Sequence, residues 1–464
     1  MSRRIWIPLI IVVLLLGYPA AAWLVGMNAE SQWEKREQIL HEQYPALDIV
    51  KHDFHRGVYS STEEITYRIA GPASKNLQAL ATSLQWPGLQ FVMRNQIHHG
   101  PWPQMRTFAP ATVDTEVILP PQVHDKLVAL LGDKAQVTLH TRLNWSGGST
   151  TEIHSPAFEN AQIKWQGLDG TTQASKDLKS AQGSVKAPGL TVKTDKGAFS
   201  FDTLEMHSDQ QIALEGLTVG SVNLTLAALD LKDEVRMQHV GLQGKSSLDG
   251  DYVRFNFGMS SESLQLKEYA LTHVGYEFGA THLYAPALIA LNKALRDSKM
   301  DPADPAAGLA NIQQAINTYG VDLLTHEPAL EIPRIGFAMP EGELLVSLKA
   351  SVPGLTRDEI QSAPNAWQMA MIKHAEATAD IRIDTALLTK LMASTGKTDE
   401  VTPQLEALQK QGYIKVDGNA LTTHLAFQHG RLTVNSLPFP PAGGMQPAQP
   451  PGPPPHPTPR PRHH

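Results

Sequence analysis

Four histidines form two pairs, His52 with His55 and His98 with His99, and imidazole is the commonest metal ligand in proteins. His52 and His55 are three residues apart on a predicted strand, so their side chains point to opposite faces. His98 and His99 are neighbours and diverge in the same way. A metal site would therefore need one histidine from each pair together with a carboxylate such as Asp53.

The segments His55-Arg56-Gly57 and His99-Gly100-Pro101 can also be explained without a metal. Glycine permits a positive φ and proline fixes φ, so both segments are typical of tight turns that shape the adjoining hairpins. We interpret them as turns and assign no metal ligand. Substitution of Gly57 or Gly100 is predicted to destabilise the protein through the turn backbone.

One further stretch has the spacing of a nucleophile motif. Ser394-Thr395-Gly396-Lys397 matches the Ser-x-x-Lys pattern of acyl-enzymes, but the companion Ser-Asp-Asn and Lys-Thr-Gly motifs do not follow it. It also lacks the upstream glycine of a phosphate-binding loop. We interpret the stretch as a loop between two helices, and we predict no catalytic residue, no cofactor and no enzymatic activity.

The two histidine segments carry a family resemblance. The stretch from His52 to Ser61, HDFHRGVYSS, resembles a motif near the start of the YdgA family of bacterial, membrane-anchored cell-envelope proteins of unknown function. The stretch HGPWP from His99 to Pro103 is similar to a second landmark of that family. The resemblance implies an anchored periplasmic protein and no particular reaction. The signature residues, which we expect to be structural, are His55, Arg56, Gly57, Ser60, His99, Gly100 and Pro101.

Composition excludes several chemistries. The chain contains no cysteine, which rules out disulfides, cysteine-ligated zinc, thiolate catalysis and iron–sulfur clusters. Its 46 acidic residues outnumber its 39 basic residues, and no long basic run occurs. Nucleic acid is therefore not an expected partner.

The apolar run from Ile5 to Met27 is long enough to cross a bilayer, which takes about 20 residues. Two arginines precede it, so the positive-inside rule predicts a single-pass protein of the bacterial inner membrane with the bulk of the chain in the periplasm. The alternative is a cleaved signal peptide, because the alanines at 20–22 suit a signal peptidase. We favour the uncleaved anchor because the apolar run continues beyond these alanines.

Alternating apolar and polar residues dominate the part of the chain that follows, a pattern typical of half-buried antiparallel strands. We expect many short strands from Ile163 to Phe278. The phase of the alternation slips between Phe201 and Leu204, which indicates a bulge or turn near Asp202. The predicted fold class is α+β and β-rich, with one or more extended antiparallel sheets, a helical insertion and a single N-terminal transmembrane helix.

The predicted organisation has six parts. They are a cytoplasmic stub with a transmembrane signal-anchor (1–27), a juxtamembrane helix (28–45), a β-rich periplasmic domain (46–280), a helical segment (281–329), a C-terminal α+β part of the same body (330–439) and a disordered Pro-rich tail (440–464). The juxtamembrane helix either spaces the body from the membrane or packs on it. We expect the helical segment to pack on one face of the sheet rather than to form a surface clamp for a partner.

The sequence leaves two functions open. The first is a membrane-anchored envelope protein that uses an extended sheet to bind a hydrophobic ligand, such as a lipid, or an envelope protein. An open apolar groove would support the lipid version, and a wholly covered sheet would oppose it. The second is a periplasmic hydrolase, which would require His55, Asp53 and His99 to meet in one pocket. We favour the first because no catalytic motif accompanies the strands.

Overall fold

The computed structural model describes residues 22, 47–69, 77–78, 81–82, 85–131, 137–194, 197–214, 216–232, 234–267, 269–297, 313–361, 366–395 and 398–439. The apolar run 5–27 (apart from Ala22), the predicted juxtamembrane helix and the Pro-rich tail lie outside the described residues. Within the described part of the chain, no helix is both long and apolar enough to cross a membrane.

The described residues contain 22 strands joined in one antiparallel sheet. The first nine strands are short, as follows: β1 Leu47–Arg56, β2 Ser60–Ile69, β3 Gln90–His99, β4 Ala111–Ile118, β5 Thr138–Leu143, β6 Ser149–Ser155, β7 Phe158–Glu159, β8 Ile163–Trp165 and β9 Leu168–Ala174. The next six are long: β10 Ser180–Thr194, β11 Gly197–Leu214, β12 Leu217–Leu231, β13 Val235–Asp249, β14 Tyr252–Leu266 and β15 Tyr269–Tyr284. The last seven are β16 Ala329–Met339, β17 Gly342–Ser351, β18 Glu376–Asp384, β19 Lys415–Asp417, β20 Ala420–Gln428, β21 Arg431–Val434 and β22 Leu437–Pro438.

Helices occupy the connections between the strands. The α-helices are α1 Pro121–Leu131, α2 Ala285–Asp297, α3 Val321–Leu324, α4 Arg357–Gln361, α5 Ala366–His374, α6 Thr385–Thr395 and α7 Thr398–Lys410, and a π-helix over Ile316–Gly320 precedes α3. The predicted helical segment therefore begins at Ala285 rather than at residue 281, because β15 keeps its ladder with β14 as far as Tyr284.

Strand pairing follows the order of the chain almost throughout. Strands β1 to β6 pair in succession, β6 pairs with β9 and β9 with β10, and β10 to β18 again pair in succession. Strand β18 then pairs with β20. The prediction of an extended antiparallel sheet is confirmed.

The phase slip near Asp202 corresponds to a break in strand pairing rather than to the predicted bulge or turn. Thr203 has no partner on either side of β11 and adopts a φ of 42°, yet Asp202 and Leu204 pair in one unchanged register with both neighbouring strands. His239 of β13 and His273 of β15 also have positive φ and lack a partner in an otherwise continuous register. The prediction of short strands is wrong from β10 onward, because the alternation changes phase at such a residue without ending the strand.

The buried core lies at the N-terminal end of the sheet and under the helices. On β3 to β5, Ile97, Ala111, Val113 and Leu143 form one buried cluster against Phe54. Helix α2 packs at one end of the long strands, where it forms a second cluster with Leu217, Leu248 and Val253. Packing of the helical segment on the sheet is therefore confirmed for α2.

Helices α4 and α5 are joined by a polar cluster centred on Glu359. Its carboxylate accepts hydrogen bonds from Lys373 Nζ (2.6 Å) and Thr356 Oγ1 (2.9 Å), and lies 3.1 Å from His374 Nε2. The hydrogen bond with the Lys373 ammonium has the largest effect on the pKa of Glu359. Together with the smaller effects of His374 and Thr356, it holds this pKa well below its usual range. The contacts therefore favour the ionised carboxylate in the folded protein.

A Glu359→Gln variant is expected to be less stable than the wild type at neutral pH, with a smaller difference in acid. Because the folded-state pKa is depressed, the stabilisation is fully present above the unfolded-state pKa and is lost as pH falls toward the folded-state value. Urea unfolding of both proteins at pH 7 and at pH 3.5 measures this. A stability difference that stayed constant or grew in acid would contradict the assignment, and Asp358→Asn, at the neighbouring carboxylate, is the control.

Candidate functional site

The signature residues lie in two adjoining turns at one end of β1 to β4. Gly57 N–H donates to the Ser60 carbonyl (2.9 Å), which closes the turn between β1 and β2. His99 N–H donates to the Tyr59 carbonyl (2.8 Å), and Gly100 N–H donates to the Pro110 carbonyl (2.6 Å). The two turns are thereby tied to each other and to the loop between β3 and β4, as the turn interpretation predicts.

The requirement for glycine at these turns is steric. Neither Gly57 nor Gly100 has a positive φ, so the predicted reason for glycine is wrong at both positions. A Cβ at Gly100 would lie 2.1 Å from the Ala109 carbonyl oxygen, and one at Gly57 would lie 2.5 Å from the Ser60 carbonyl oxygen. Glycine is needed because the backbone of the chain approaches itself closely.

His99 is the buried member of its pair and fixes this turn from inside. Its Nδ1 donates to the Val58 carbonyl (3.0 Å), and its Nε2 forms a hydrogen bond with the Ser61 hydroxyl (2.9 Å). A serine beside a histidine is the arrangement of a nucleophile and its base. Both residues, however, are only 2% exposed, so the pair offers a substrate no access and instead ties β2 to the turn.

A row of buried polar side chains crosses β2, β3 and β4 next to this turn. Glu63, which is 1% exposed, accepts from Asn95 Nδ2 at one oxygen (2.7 Å) and lies 3.0 Å from His52 Nε2 at the other. The Thr115 hydroxyl donates to Asn95 Oδ1 (2.6 Å). Each side chain of the row is hydrogen-bonded to the next, as buried polar groups require.

The histidines do not converge on a metal or on a catalytic centre. His52 pairs in register with Ile65 and faces Glu63, whereas His55 and Asp53 lie on the opposite face of β1. His98 lies 3.2 Å from Asp114, away from His99. The pocket that the hydrolase hypothesis requires is therefore not formed by His55, Asp53 and His99. Among the residues that the structure describes, no group of three or more metal-ligating side chains could hold an ion.

One face of the long strands carries a continuous apolar row, which we call the apolar face. Directly paired residues of antiparallel strands share a face, and each of nine successive strands contributes one apolar residue at the same level. The row consists of Val185, Met206, Leu224, Leu242, Met259, Tyr276, Ile335, Val346 and Ile381. A second row of directly paired apolar residues, beyond the unpaired positions, consists of Phe201, Leu229, Met237, Leu264 and Leu271.

The apolar face remains accessible to solvent. None of the nine residues of the first row is buried, and Met259 and Ile335 are 38% and 39% exposed. Helix α2 packs at one end of the long strands, against residues that include Leu217, Leu248 and Val253. The other seven residues of the row are partly buried, so the face is a partly exposed apolar surface and a candidate interaction site.

The opposite face of the same strands is polar. Lys186 pairs with Glu205 across β10 and β11 (2.7 Å), and His154 pairs with Asp169 across β6 and β9 (2.7 Å). Open concavities on this face are lined by such charged pairs. The sheet is thus amphipathic, and its two faces present different chemistry to a ligand.

Comparison with protein-family models matches residues 2–442 to a family described as bacterial protein of unknown function, DUF945. The chain belongs to the DUF945 family. The chain matches no curated protein and no solved structure. The family model covers nearly the whole chain, and its description names no reaction and no ligand.

In this DUF945 chain the first two residues of the remaining candidate, Ser394 and Thr395, end helix α6. The Ser394 hydroxyl donates to the Leu391 carbonyl of its own helix (2.8 Å), and residues 396 and 397 lie outside the described part of the chain. The alternation in the sequence predicts a sheet that could leave an open apolar groove, but not which residues form its rows. The available signal was the run of apolar residues at alternate positions in successive segments, which only strand register assembles into one row.

Proposed function

We propose that this DUF945 protein is a non-enzymatic, membrane-anchored envelope protein that binds the acyl chains of a lipid along its apolar face. The observation that carries the proposal is the row of nine apolar side chains, from Val185 to Ile381, none of which is buried by the described part of the chain. Exposed apolar surface of this extent is stabilised when it contacts hydrocarbon instead of water.

The dimensions of the face suit hydrocarbon chains. Neighbouring strands lie about 4.8 Å apart, so a row across nine strands is about 38 Å wide. The hydrocarbon core of a bilayer is about 30 Å thick and holds two leaflets, so one acyl chain occupies about 15 Å. The row therefore has room for more than one acyl chain end to end.

The backbone of the face favours hydrocarbon over an extended peptide. Strands β10 to β18 each pair with a strand on both sides, so their N–H and C=O groups are already engaged in the ladder. An extended peptide lying on the face would find no backbone partner there, and its own polar groups would lose water without compensation. An acyl chain has no such groups to satisfy.

The anchored, periplasmic location is part of the proposal. Its support is the apolar run 5–27 with its preceding arginines, together with the resemblance of the HRG and HGP segments to the YdgA family of envelope proteins. A lipid-binding face would then belong to a protein that is tethered beside its ligand. A tether raises the effective concentration of a ligand that is held in the same membrane.

A Met259→Glu variant is expected to bind lipid about tenfold more weakly than the wild type, because a carboxylate at the centre of the face must be desolvated against hydrocarbon. Ser260→Glu is the matched control, since Ser260 is the next residue of β14, is exposed and points to the polar face. The full chain is purified in mild detergent, and the phospholipid that co-purifies with each variant is quantified by mass spectrometry of the intact protein.

Retention of phospholipid by the wild type and by Ser260→Glu, with loss in Met259→Glu, would support the proposal. Equal retention by all three proteins would assign the lipid to another part of the chain and overturn it. A wild type that carries no lipid would also overturn it, and crosslinking in cells would then test the apolar face as a binding surface for a protein partner.

A further inference from the structure

A second exposed apolar surface lies away from the apolar face, at the end of the sheet where the signature turns are. We call it the aromatic tip, and it consists of Val58, Tyr59, Trp102, Met105, Phe108 and Trp145. All but Val58 are more than half exposed, and Met105 is 86% exposed. Large apolar side chains with such exposure cost free energy in water unless a partner covers them.

The tip is assembled from three connections that antiparallel pairing brings to the same end of the sheet. They are the turn between β1 and β2, the loop between β3 and β4, and the turn between β5 and β6. The rings of Trp102 and Phe108 lie 5.5 Å apart, and those of Phe108 and Trp145 lie 5.1 Å apart. Residues far apart in sequence thus form one continuous aromatic surface.

The backbone holds these side chains outward. Gln104 and Met105 both have positive φ (52° and 58°), a conformation that costs free energy for residues other than glycine. The hydrogen bonds of Gly57, His99 and Gly100, and that from Ala109 N–H to the Pro101 carbonyl (3.2 Å), fix the base of the same loops. The signature residues therefore support the tip rather than form it.

The segments that form the tip contain arginines and no acidic residue. The segments 55–60, 98–110 and 144–148 contain two arginines, Arg56 and Arg106, and no aspartate or glutamate. In a chain whose net charge is −7, the two arginines bring positive charge to this end of the sheet, where Asp114 of β4 lies 3.2 Å from His98. Arginines beside exposed aromatic residues complement a surface that combines hydrocarbon with negative charge, which describes an anionic lipid bilayer.

We propose that the aromatic tip inserts into the interfacial layer of an anionic phospholipid membrane. Tryptophan and tyrosine prefer the headgroup level of a bilayer, and Met105 and Phe108 would reach the acyl boundary below it. The proposal rests on residues separate from the apolar face and holds whether or not that face binds lipid.

The absence of cysteine allows a clean test with a single introduced thiol. Met105→Cys in the full chain is labelled with the environment-sensitive fluorophore NBD and reconstituted in vesicles of phosphatidylethanolamine and phosphatidylglycerol. Ser260→Cys, on the polar face of β14, is the matched control. We expect a blue-shifted emission at position 105 and iodide quenching about fivefold weaker than at position 260, because the label enters the interface.

Two further measurements sharpen the result. Adding Phe108→Ala and Trp145→Ala to Met105→Cys should restore iodide quenching of the label. The fold should be retained, because both substituted side chains are more than half exposed. Lipids that carry a quencher, placed either in the protein's own vesicles or in added protein-free vesicles, identify which membrane the tip enters. Quenching from either source supports the proposal.

Equal iodide access at positions 105 and 260 in these vesicles would overturn it. Protection of position 105 that arises only when solubilised envelope proteins are added would also overturn it, and would assign the tip to a protein partner. Weaker protection in vesicles of phosphatidylcholine alone is expected, because the arginines lose their anionic partners there.

Discussion

A Gly100→Ala variant is expected to lose about 3 kcal/mol of its free energy of unfolding, because the new methyl group overlaps backbone that cannot move aside. The added Cβ would lie 2.1 Å from the Ala109 carbonyl oxygen and 2.6 Å from that of Pro110. The Pro110 oxygen also accepts the hydrogen bond of the Gly100 N–H, so relief of the overlap would break this bond. Thermal unfolding followed by circular dichroism measures the loss.

Two comparisons separate this steric effect from a general intolerance of substitution. Gly57→Ala should also destabilise, since its Cβ would lie 2.5 Å from the Ser60 carbonyl oxygen. Gly258→Ala should be neutral or slightly stabilising, because no atom lies within 4 Å of its added Cβ and the unfolded chain loses freedom. Melting temperatures unchanged in both turn variants would refute the steric account of the signature glycines.

Asn95→Ala is expected to cost about 3 kcal/mol, because it leaves two buried polar partners without a hydrogen bond. Asn95 donates to a carboxylate oxygen of Glu63 and accepts from the Thr115 hydroxyl. Glu63 is almost fully buried, so water cannot replace the lost donor. Asn256→Ala, at an exposed position of β14, is the control and should change stability little.

A triple variant tests whether unsatisfied polar groups, rather than lost packing, cause this effect. Replacing Glu63 by Met, Asn95 by Leu and Thr115 by Val removes the donors and acceptors together and retains volume. Such a protein should be more stable than Asn95→Ala, because replacing a whole buried polar network by apolar groups is often near neutral. A triple variant that is less stable than the single one would show that packing dominates.

Several local features of the fold could be predicted from the sequence. The phase slip near Asp202 locates the irregularity at Thr203, although not its type, because the alternation shows which face each side chain takes. The turns at Gly57 and Gly100 follow from residue types, although the reason for glycine does not. Carbonyls of residues 60 and 109 create that requirement, and only the folded chain brings them within reach.

The two surfaces that we propose as binding surfaces, the apolar face and the aromatic tip, could not be predicted from the sequence. The apolar face depends on register across nine strands, and a register shift of one residue would place every side chain on the other face. The aromatic tip depends on three loops meeting in space, with Trp145 more than forty residues from Trp102. Glu63 appears as an ordinary polar residue of an alternating strand, and its burial is set by tertiary packing.

The order of strand pairing determines how the protein gains and loses structure. From β10 to β17 each strand pairs with the strands immediately before and after it in the chain, so every added strand pairs with structure already formed. Stability is then close to a sum over neighbouring strand pairs, as in solenoid proteins. Folding can proceed by zippering from a single hairpin, and partial unfolding starts by fraying at the outer strands while the middle of the sheet persists.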